Sequence, residues 1–225
     1  MKTAVIGTGK TGKAVLELAG SNTIGFNSKN IPERESLKDF DCVIVFVSTD
    51  AAEEIIELVD GLSLKVIWGT TGIQWSAKFQ ENVKNSGATW VIGSNFSLGM
   101  NLVRKAIQML SQQSTLLNQP SFSISEIHHI HKKDKPSGTA LSWREWLGKQ
   151  AEITSFREGD VKGLHELQVN TAFESITIRH EAHDRRLFAE GALWTAKQLM
   201  DHPEFGPGWY KFEEFFDYLT QNQQL

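Results

Sequence analysis

The fold is decided by residues 3–19, TAVIGTGKTGKAVLELA, in which a short apolar run is followed by a glycine-rich turn and a helix-favouring segment. The turn contains Gly7-x-Gly9-x-x-Gly12. In a strand-turn-helix context, the first glycine permits the tight turn, the second lets a pyrophosphate approach the backbone, and the third lets the helix pack against the strand. The stretch therefore predicts an α/β domain whose first turn binds a dinucleotide.

Two other interpretations of the glycine turn compete with this one. Gly7 and Gly12-Lys13 also have the spacing of a phosphate-binding P-loop, but Ala14 stands where that loop needs a hydroxyl group to hold magnesium. A glycine-rich turn can also serve only to reverse the chain tightly, with no ligand. Ala14 disfavours the first alternative, whereas the second stays open.

Strand-like and helix-favouring segments alternate through the first hundred residues. After the strand at 3–6, strands are predicted at 23–26, 42–47, 65–68 and 89–92, and helices at 13–19, 51–59 and 76–86. This alternation at short spacing is typical of a parallel, doubly wound sheet.

The pattern changes near residue 98. The predicted elements that follow are a helix at 100–113, extended runs at 122–130, 165–169 and 174–179, and helices at 191–200 and 212–220. Because few crossover helices separate the extended runs, we expect a second, more antiparallel domain at 98–187. Residues 1–97 and 188–225 would then form the first domain.

The overall composition excludes several classes of protein. The 225 residues carry a formal net charge of −4 and are 40% hydrophobic, which fits a globular chain and gives no general attraction to nucleic acid or to an anionic membrane. The single cysteine, Cys42, excludes an intrachain disulfide and is predicted to be a buried strand thiol. No secretory signal pattern opens the chain and no apolar run reaches about 18 residues. We therefore expect a cytoplasmic protein with no nucleic-acid or membrane partner.

Residues 126–140, EIHHIHKKDKPSGTA, concentrate charged and proton-donating groups. A strand that includes His128 and His129 would point the two side chains to opposite faces, so that one of them can face a cleft. The turn at 136–139 precedes a predicted helix at 140–151, whose first N–H groups can bind a carboxylate. A solvated basic loop is the alternative. The combination favours an anion site beside a proton donor.

Polar residues at the ends of the predicted strands bear on the cofactor. After the second strand there is no acidic residue to bind the adenosine ribose, and Ser28 with Lys29 could instead contact a 2′-phosphate, which favours NADPH over NADH. Ser48-Thr49-Asp50 and Gly69-Thr70-Thr71-Gly72 end two other strands and are candidates to border the nicotinamide. Capping of the next helix is the alternative role for Thr49 or Asp50.

Several motifs together resemble one enzyme family. They are the glycine turn, Gly69-Thr70-Thr71-Gly72, Ser94-Asn95-Phe96-Ser97 and His128-His129-x-x-Lys132-x-Asp134-x-Pro136-Ser137-Gly138-Thr139-Ala140, with further matches at Arg157-Glu158-Gly159-Asp160, Gly163-x-His165 and the run from His180 through Arg185 to Ala192. In order and spacing these are similar to the 4-hydroxy-tetrahydrodipicolinate reductases, the dihydrodipicolinate reductases of lysine biosynthesis. The resemblance covers most of the chain.

The resemblance implies an α/β fold with a Rossmann-like nucleotide-binding domain and a central mixed α/β sheet domain that binds substrate and builds a homotetramer. It also implies reduction of a cyclic imine dicarboxylate by hydride from NADPH or NADH. On the family pattern the catalytic residues are His128, the proton donor, and Lys132. The residues implied for the substrate carboxylates are His129, Lys132, Ser137, Gly138 and Thr139. Together with the strand ends above, the predicted cofactor-binding residues are Gly7, Thr8, Gly9, Lys10, Thr11, Gly12, Ser28, Lys29, Ser48, Thr49, Gly69, Thr70, Thr71, Ser94, Asn95, Phe96 and Arg185.

These roles agree with the chemistry of the residues. Hydride addition to a conjugated imine leaves negative charge that a nearby cation stabilises and an acid protonates. Histidine titrates near neutral pH and suits proton delivery, whereas lysine is a more constant countercharge. The remaining histidines, at 165, 180, 183 and 202, have no zinc-motif spacing, so no metal site is predicted.

Two other functions remain open at this stage. One is a two-domain nicotinamide oxidoreductase acting on an amino or hydroxy acid. The other is a non-catalytic protein that senses NADP(H), although sensing would require neither His128 nor Lys132. Residues 27–37 are compact where the adenosine ribose would be recognised. The choice between NADPH and NADH and the hydrated or dehydrated form of the substrate are also open.

Overall fold

The computed structural model describes residues 1–222 as two compact units. Unit 1 comprises Met1–Ser97 and the chain from Arg185 onward, and unit 2 comprises Leu98–Asp184. The second break lies three residues before the predicted position 188. The difference arises because the helix expected at 191–200 already begins at Arg186.

The helices and strands are as follows, in chain order. They are β1 (Thr3–Ile6), α1 (Lys10–Leu18), β2 (Thr23–Phe26), β3 (Cys42–Val45), α2 (Thr49–Val59), β4 (Lys65–Trp68), α3 (Ala77–Asn85), β5 (Thr89–Ile92), α4 (Leu98–Gln113), β6 (Ser121–His128), α5 (Gly138–Leu147), β7 (Glu152–Arg157), β8 (Leu164–Asn170), β9 (Ser175–Glu181), α6 (Arg186–Asp201), β10 (Gly208–Lys211) and α7 (Phe212–Asn222). Short 3-10 helices lie at Glu35–Asp39 and Ser114–Leu116.

Unit 1 is built on a six-stranded sheet in which all strands are parallel, in the order β10-β5-β4-β3-β1-β2. Thr3 pairs with Thr23 on one side and Cys42 on the other, so the direction of winding reverses beside β1. The predicted parallel, doubly wound sheet is therefore confirmed. Cys42 is the buried strand thiol expected, and burial raises its pKa to about 11.

The core of unit 1 explains which residues form these elements. The apolar side chains of α2 recur at helical spacing, and Ala52, Ile55 and Val59 are buried against the sheet. The helix α6 packs beside α1 and on β3 and β4. The strand β10 was not predicted, because four residues that run directly into α7 carry no turn signal between strand and helix. It is held by parallel pairing with β5.

Unit 2 contains a four-stranded mixed sheet in the order β7-β6-β8-β9. The pair β6/β7 is parallel, whereas β6/β8 and β8/β9 are antiparallel. The helices α4 and α5 contribute the buried Ile107, Trp143 and Leu147 to the core of this unit. The predicted mixed sheet is confirmed, but β7 was missed because the helix α5 had been predicted to extend to residue 151. In the structure α5 ends at Leu147, and the left-handed conformation of Gly148 (φ 58°) closes the helix.

Within residues 1–222, none of the helices combines the length and apolar character needed to cross a lipid bilayer.

Candidate active site

A cavity of about 490 Å³ lies in unit 1 where β1, β3 and β4 end. We call it the glycine cavity. Its lining residues are Gly9, Lys10, Thr11, Phe46, Val47, Ser48, Thr49, Gly69, Thr70, Thr71 and Arg185. Ligands of open α/β sheets bind beyond the carboxyl ends of the strands, beside the point where the winding reverses. The cavity occupies that position.

The three glycines of the first turn have different roles in the glycine cavity. Gly7 has a φ of 96°, and a Cβ atom there would lie 2.2 Å from the carbonyl oxygen of Phe46. A Cβ atom on Gly12 would lie 1.7 Å from the carbonyl oxygen of Gly7, so this position must be glycine for α1 to pack on β1. At Gly9 a Cβ atom would meet nothing within 4 Å. Gly7 and Gly12 therefore shape the turn, and Gly9 leaves space in front of α1.

The first turn of α1 faces this space. Gly9 is the residue before the helix, and no side chain caps the helix at this end. Backbone N–H groups at a helix start have no partner within the helix, and they bind phosphate groups readily. Lys10 and Arg185 add two positive charges to the cavity lining, and no lining residue among those described carries a carboxylate. The glycine cavity therefore suits an anionic ligand with phosphate groups.

Hydrogen bonds hold the other wall of the cavity. The Thr70 hydroxyl accepts from the N–H of Val47 (3.1 Å) and donates to the carbonyl oxygen of the same residue (3.0 Å), which joins the loops that follow β3 and β4. The Thr49 hydroxyl donates to the carbonyl oxygen of Thr71 (3.2 Å). The capping alternative for Thr49 is wrong, because α2 begins at this residue and its hydroxyl is bound to the neighbouring loop.

The structure does not bring all the predicted cofactor residues into the cavity lining. Those outside it are Gly7, Thr8, Gly12, Ser28, Lys29, Ser94, Asn95 and Phe96. Ser28 and Lys29 lie in an exposed turn after β2. The Phe96 side chain is 1% exposed and its ring packs against Phe46 and Phe212. Phe96 therefore supports the cavity wall from behind.

In unit 2, five polar residues converge at the end of β6. We call them the Glu126 cluster: Glu126, His128, Ser137, Arg157 and His165. The Glu126 carboxylate is fully buried, and one of its oxygens accepts a hydrogen bond from Nδ1 of His128. The other oxygen accepts from Nη1 of Arg157 (3.0 Å) and from the N–H of Ser137 (3.3 Å). A buried ion pair between Glu126 and Arg157 thus lies beside His128, the predicted proton donor.

The pKa values of the cluster follow from these contacts. Burial opposes the charge on Glu126, but hydrogen bonding to the side chains of Ser155, Arg157 and His128 outweighs it and holds the pKa of this carboxyl below its usual value. Burial lowers the pKa of His128, and the hydrogen bond to Glu126 opposes that change. For His165, burial and the nearby charge of His128 lower the pKa to about 3. His165 is therefore neutral at physiological pH.

Ser137, a predicted substrate-binding residue, lies at the start of α5. It precedes α5 and caps it, since its hydroxyl accepts from the N–H of Ala140 (3.2 Å). The same hydroxyl lies 3.2 Å from Nε2 of His165, and the residue is 1% exposed. Its role in this structure is to start the helix. The next two residues, Gly138 and Thr139, form the first turn of α5 and are not buried.

Lys132 lies in the loop between β6 and α5. Its Nζ is 2.8 Å from a carboxylate oxygen of Asp134, and its side chain is about one-quarter exposed. The hydrogen bond from Lys132 lowers the pKa of Asp134. His129 does not continue the strand as expected, because β6 ends at His128 and a bond from the Lys132 N–H to the His129 carbonyl oxygen (3.1 Å) closes a turn.

Sequence reasoning missed three members of the cluster: Glu126, Arg157 and His165. Arg157 was noted only as part of a family motif, and His165 as part of another and as a histidine without zinc-motif spacing. Ligand atoms of Glu126, His128 and His165 lie within 4.8 Å of one another, which is close enough to consider a metal ion. The two oxygens of Glu126 are already bonded to His128 and to Arg157, and a cation would compete with these donors. The group is better described as an ion pair than as a metal centre.

Residues 99–216 match the family model described as the C-terminus of dihydrodipicolinate reductase, which is more than half of the chain. The chain belongs to the dihydrodipicolinate reductase family. A 4-hydroxy-tetrahydrodipicolinate reductase from Thermosipho africanus (strain TCF52B) is 33% identical over 219 residues, covering 95% of this chain and 97% of that protein. A protein of the same name from Christiangramia forsetii (strain DSM 17595 / CGMCC 1.15422 / KT0803) is 32% identical over 222 residues, covering 89% and 93%.

Solved structures of the family share the fold. A dipicolinate-bound dihydrodipicolinate reductase from Paenisporosarcina sp. TG-14 aligns with a TM-score of 0.73 and 18% identity, covering 93% of this chain and 96% of that one. The predicted family, the predicted fold class and the prediction of a nicotinamide-dependent reductase are therefore confirmed.

Proposed function

We propose that this protein reduces 4-hydroxy-tetrahydrodipicolinate, or its dehydrated form dihydrodipicolinate, to tetrahydrodipicolinate with hydride from a nicotinamide dinucleotide. The observation that carries the proposal is the hydrogen bond between buried Glu126 and His128 at the start of the family's His-His-Lys-Ser-Gly-Thr segment. The two relatives described above bear the name of this activity. A histidine that a carboxylate orients can act as a general acid when it is protonated, and this reaction needs such a group.

His128 and Lys132 have different roles in the reaction. Addition of hydride to the conjugated imine leaves an electron pair that must be protonated, and His128 supplies this proton. Lys132 adds positive charge, which stabilises the negative charge that develops on the ring. The Lys132 ammonium is at present paired with Asp134, so a substrate carboxylate would compete with Asp134 for it.

The first turn of α5 supports the proposed binding of a substrate carboxylate. The N–H group of Ala140 is bound by Ser137, and Gly138 with Thr139 precedes it in the same turn. Helix N-termini favour negatively charged groups. We assign one carboxylate of the substrate to the N–H groups of Gly138 and Thr139, and the other to Lys132 and His129.

The residues of the glycine cavity fit a nicotinamide dinucleotide. Gly9 leaves the space that a pyrophosphate needs, and Lys10 and Arg185 supply positive charge. When bound, the dinucleotide supplies the hydride. We further propose that NADPH is preferred over NADH, since the turn after β2 offers Ser28 and Lys29 and no carboxylate before Glu33.

Self-association through unit 2 is part of the proposal. One face of its sheet carries exposed side chains, among them Thr154 and Phe156 on β7 and Thr177 and Arg179 on β9. Phe156 is 44% exposed, so this face includes a large apolar side chain. We propose that this face pairs with other copies to form a homotetramer, and that the protein acts in the cytoplasm.

The test is the loss of absorbance at ~340 nm when the protein is mixed with freshly generated substrate and either NADPH or NADH. We expect turnover with both nucleotides and faster turnover with NADPH. We also expect Lys132→Ala to lower kcat by about 10²-fold, in line with the loss of a catalytic charge. The matched control is Lys133→Ala, an exposed neighbour in the same loop.

Two results would contradict the proposal. Nucleotide binding without turnover of the substrate would favour the sensor interpretation. Oxidation of amino or hydroxy acids at rates above that of the dipicolinate substrate would favour the other class of oxidoreductase.

A further inference from the structure

The structure assigns a positioning role to Glu126 and Arg157: together they fix which nitrogen of His128 delivers the proton and hold the backbone of the loop that carries Lys132. This inference rests on the proposed function, because it concerns the same two catalytic residues. Neither Glu126 nor Arg157 is assigned a contact with substrate. Both act through other residues.

Strand pairing brings the groups together. Glu126 and His128 are two residues apart on β6, so their side chains leave the same face of the sheet. In the pairing register His128 lies opposite Arg157 on β7, and Glu126 lies opposite His165 on β8. The Arg157 guanidinium can therefore reach past His128 to Glu126, where it is found at 3.0 Å.

The energetic cost of the arrangement argues for a specific role. A carboxylate taken fully out of water loses its hydration, and a buried ion pair is often no more stabilising than apolar residues of the same volume. Glu126 is fully buried, and hydrogen bonds that include those from His128, Arg157 and the Ser137 N–H replace its hydration. Stability alone therefore does not explain why a carboxylate is buried at this position.

The contact with Glu126 decides the proton positions on His128. A carboxylate can only accept hydrogen bonds, so Nδ1 of His128 carries a proton and Nε2 is the nitrogen that gains and loses one. During turnover the Nε2 proton passes to the substrate, and Nε2 is then reprotonated from water. Gly163 lies against this nitrogen, where a Cβ atom would approach Nε2 to 3.0 Å. The absence of a side chain at Gly163 leaves that side of Nε2 uncrowded.

Arg157 connects this pair to the loop of Lys132. Besides its bond to Glu126, its Nε donates to the carbonyl oxygen of Lys132 (3.3 Å) and its Nη2 donates to the carbonyl oxygen of Asp134. The planar guanidinium thus binds a carboxylate and two backbone oxygens of the loop at once, and its Nη1 also donates to the carbonyl oxygen of Phe156 (2.6 Å). A lysine at this position could not reproduce that set of bonds, because its ammonium is a point charge on a flexible stem.

The groups that face His128 predict how its titration depends on Glu126. Three charged groups among the described residues influence the pKa of His128. Glu126 is the anion, and Lys132 and Arg157 are the cations. The neutral His165 ring lies 5.0 Å away, between centroids. Neutralising Glu126 would leave two cations near His128 and lower its pKa further.

The first test is the pH dependence of kcat for Glu126→Gln, which keeps the shape of the side chain and removes its charge. Because proton donation requires protonated His128, activity falls as pH rises through its pKa. We expect this falling limb to move to lower pH by about one unit or more in the variant, with a loss of kcat of about tenfold or more at pH 8. The affinity for NADPH should stay unchanged. Glu145→Gln, at an exposed position in the last turn of α5, is the matched control.

A pH profile of Glu126→Gln that matches the wild type would overturn the proposal. Such a result would leave the reductase activity itself intact, so the two claims fail separately. Arg157→Lys provides the second variant: we expect a lower kcat together with a raised KM for the substrate, since the loop of Lys132 loses two of its bonds. Equal kcat and KM in wild type and Arg157→Lys would remove Arg157 from the account.

A measurement on the unmodified protein avoids any failure of a variant to fold. In protein labelled with ¹⁵N-histidine, the imidazole nitrogens of His128 can be assigned by comparison with His128→Gln. At a pH where His128 is neutral, we expect Nδ1 to have the chemical shift of a protonated nitrogen and Nε2 that of an unprotonated one. The opposite tautomer would overturn the proposal, whatever the outcome of the turnover assay.

Discussion

The glycine cavity of unit 1 and the Glu126 cluster of unit 2 are made in different ways. The cavity is shaped largely by backbone conformation, with Gly7, Gly9 and Gly12 within six consecutive residues. Apart from Ser137 at the start of α5, the cluster is made by side chains from three strands, which meet because β6 pairs with β7 and β8 in one register. A site made by local backbone leaves a motif in the sequence. A site made by strand register leaves only common residues at distant positions.

The largest expected effect is a loss of stability on substitution of a glycine beside the glycine cavity. Gly12→Val would place a branched side chain where even a Cβ atom lies 1.7 Å from the Gly7 carbonyl oxygen. Because backbone must move to relieve this contact, we expect the free energy of unfolding of unit 1 to fall by about 3 kcal/mol or more. Urea unfolding followed by far-UV circular dichroism measures the loss.

The control for Gly12→Val is Gly9→Ala, in the same turn. A Cβ atom at Gly9 meets nothing within 4 Å, so the free energy of unfolding should change by less than about 1 kcal/mol. The methyl group would occupy the space proposed for the pyrophosphate, and we expect the Kd for NADPH to rise about tenfold. Equal losses of stability in the two variants would contradict the assignment of Gly12 to the shape of the turn and of Gly9 to nucleotide binding.

The next effect concerns the Glu126 cluster and the pH dependence of the free energy of unfolding. His165 has a pKa of about 3 in the folded protein and an ordinary value of 6.5 when unfolded. Below pH 6.5 the unfolded chain binds a proton that the folded chain does not, so the free energy of unfolding falls as pH decreases toward 3. Between pH 6.5 and pH 5 this histidine alone should cost about 2 kcal/mol.

Substitution of His165 by Phe should remove this contribution. We expect urea unfolding at pH 7 and pH 5 to show a smaller difference for His165→Phe than for wild type, by about 2 kcal/mol. His131→Gln, an exposed position in the loop after β6, should keep the wild-type pH dependence. An unchanged pH dependence in His165→Phe would show that His165 is not buried in its neutral form.

The smallest expected effect concerns the predicted preference for NADPH over NADH. Lys29 is exposed in the turn after β2 and would contact only the 2′-phosphate of NADPH. We expect Lys29→Ala to raise the Kd for NADPH about fivefold and to leave that for NADH unchanged, as for one surface charge contact. Titration calorimetry with both nucleotides measures the difference, and Lys13→Ala on α1 is the control. A parallel change for both nucleotides would place Lys29 away from the 2′-phosphate.

Much of the fold could be predicted from local pattern. The strands β1, β2, β4 and β5 begin and end at the predicted residues, because each is a short apolar run between turn signals. The strands β7 and β10 were missed for lack of such signals: β7 follows a helix that ends at Leu147, and β10 continues directly into α7. Both are defined by their partners in the sheets, and a single sequence does not show pairing.

The candidate site divides in the same way. His128 and Lys132 could be named because they lie within a short segment that also contains the capping turn of α5. Phe96 could not be placed correctly, because its burial depends on Phe46 and Phe212, which are distant in sequence. Glu126 is two residues from His128 and was still overlooked. A buried carboxylate in a strand has no sequence signature until its partner Arg157 is known.

The most direct test of the account measures kcat and the Kd for NADPH on the same preparations of wild type, His128→Ala and the control His131→Ala. If the cavity of unit 1 binds the nucleotide and His128 delivers the proton, His128→Ala should lower kcat by about 10²-fold or more and leave the Kd within about twofold. His131→Ala should match the wild type in both. A kcat for His128→Ala close to that of the wild type would contradict the account.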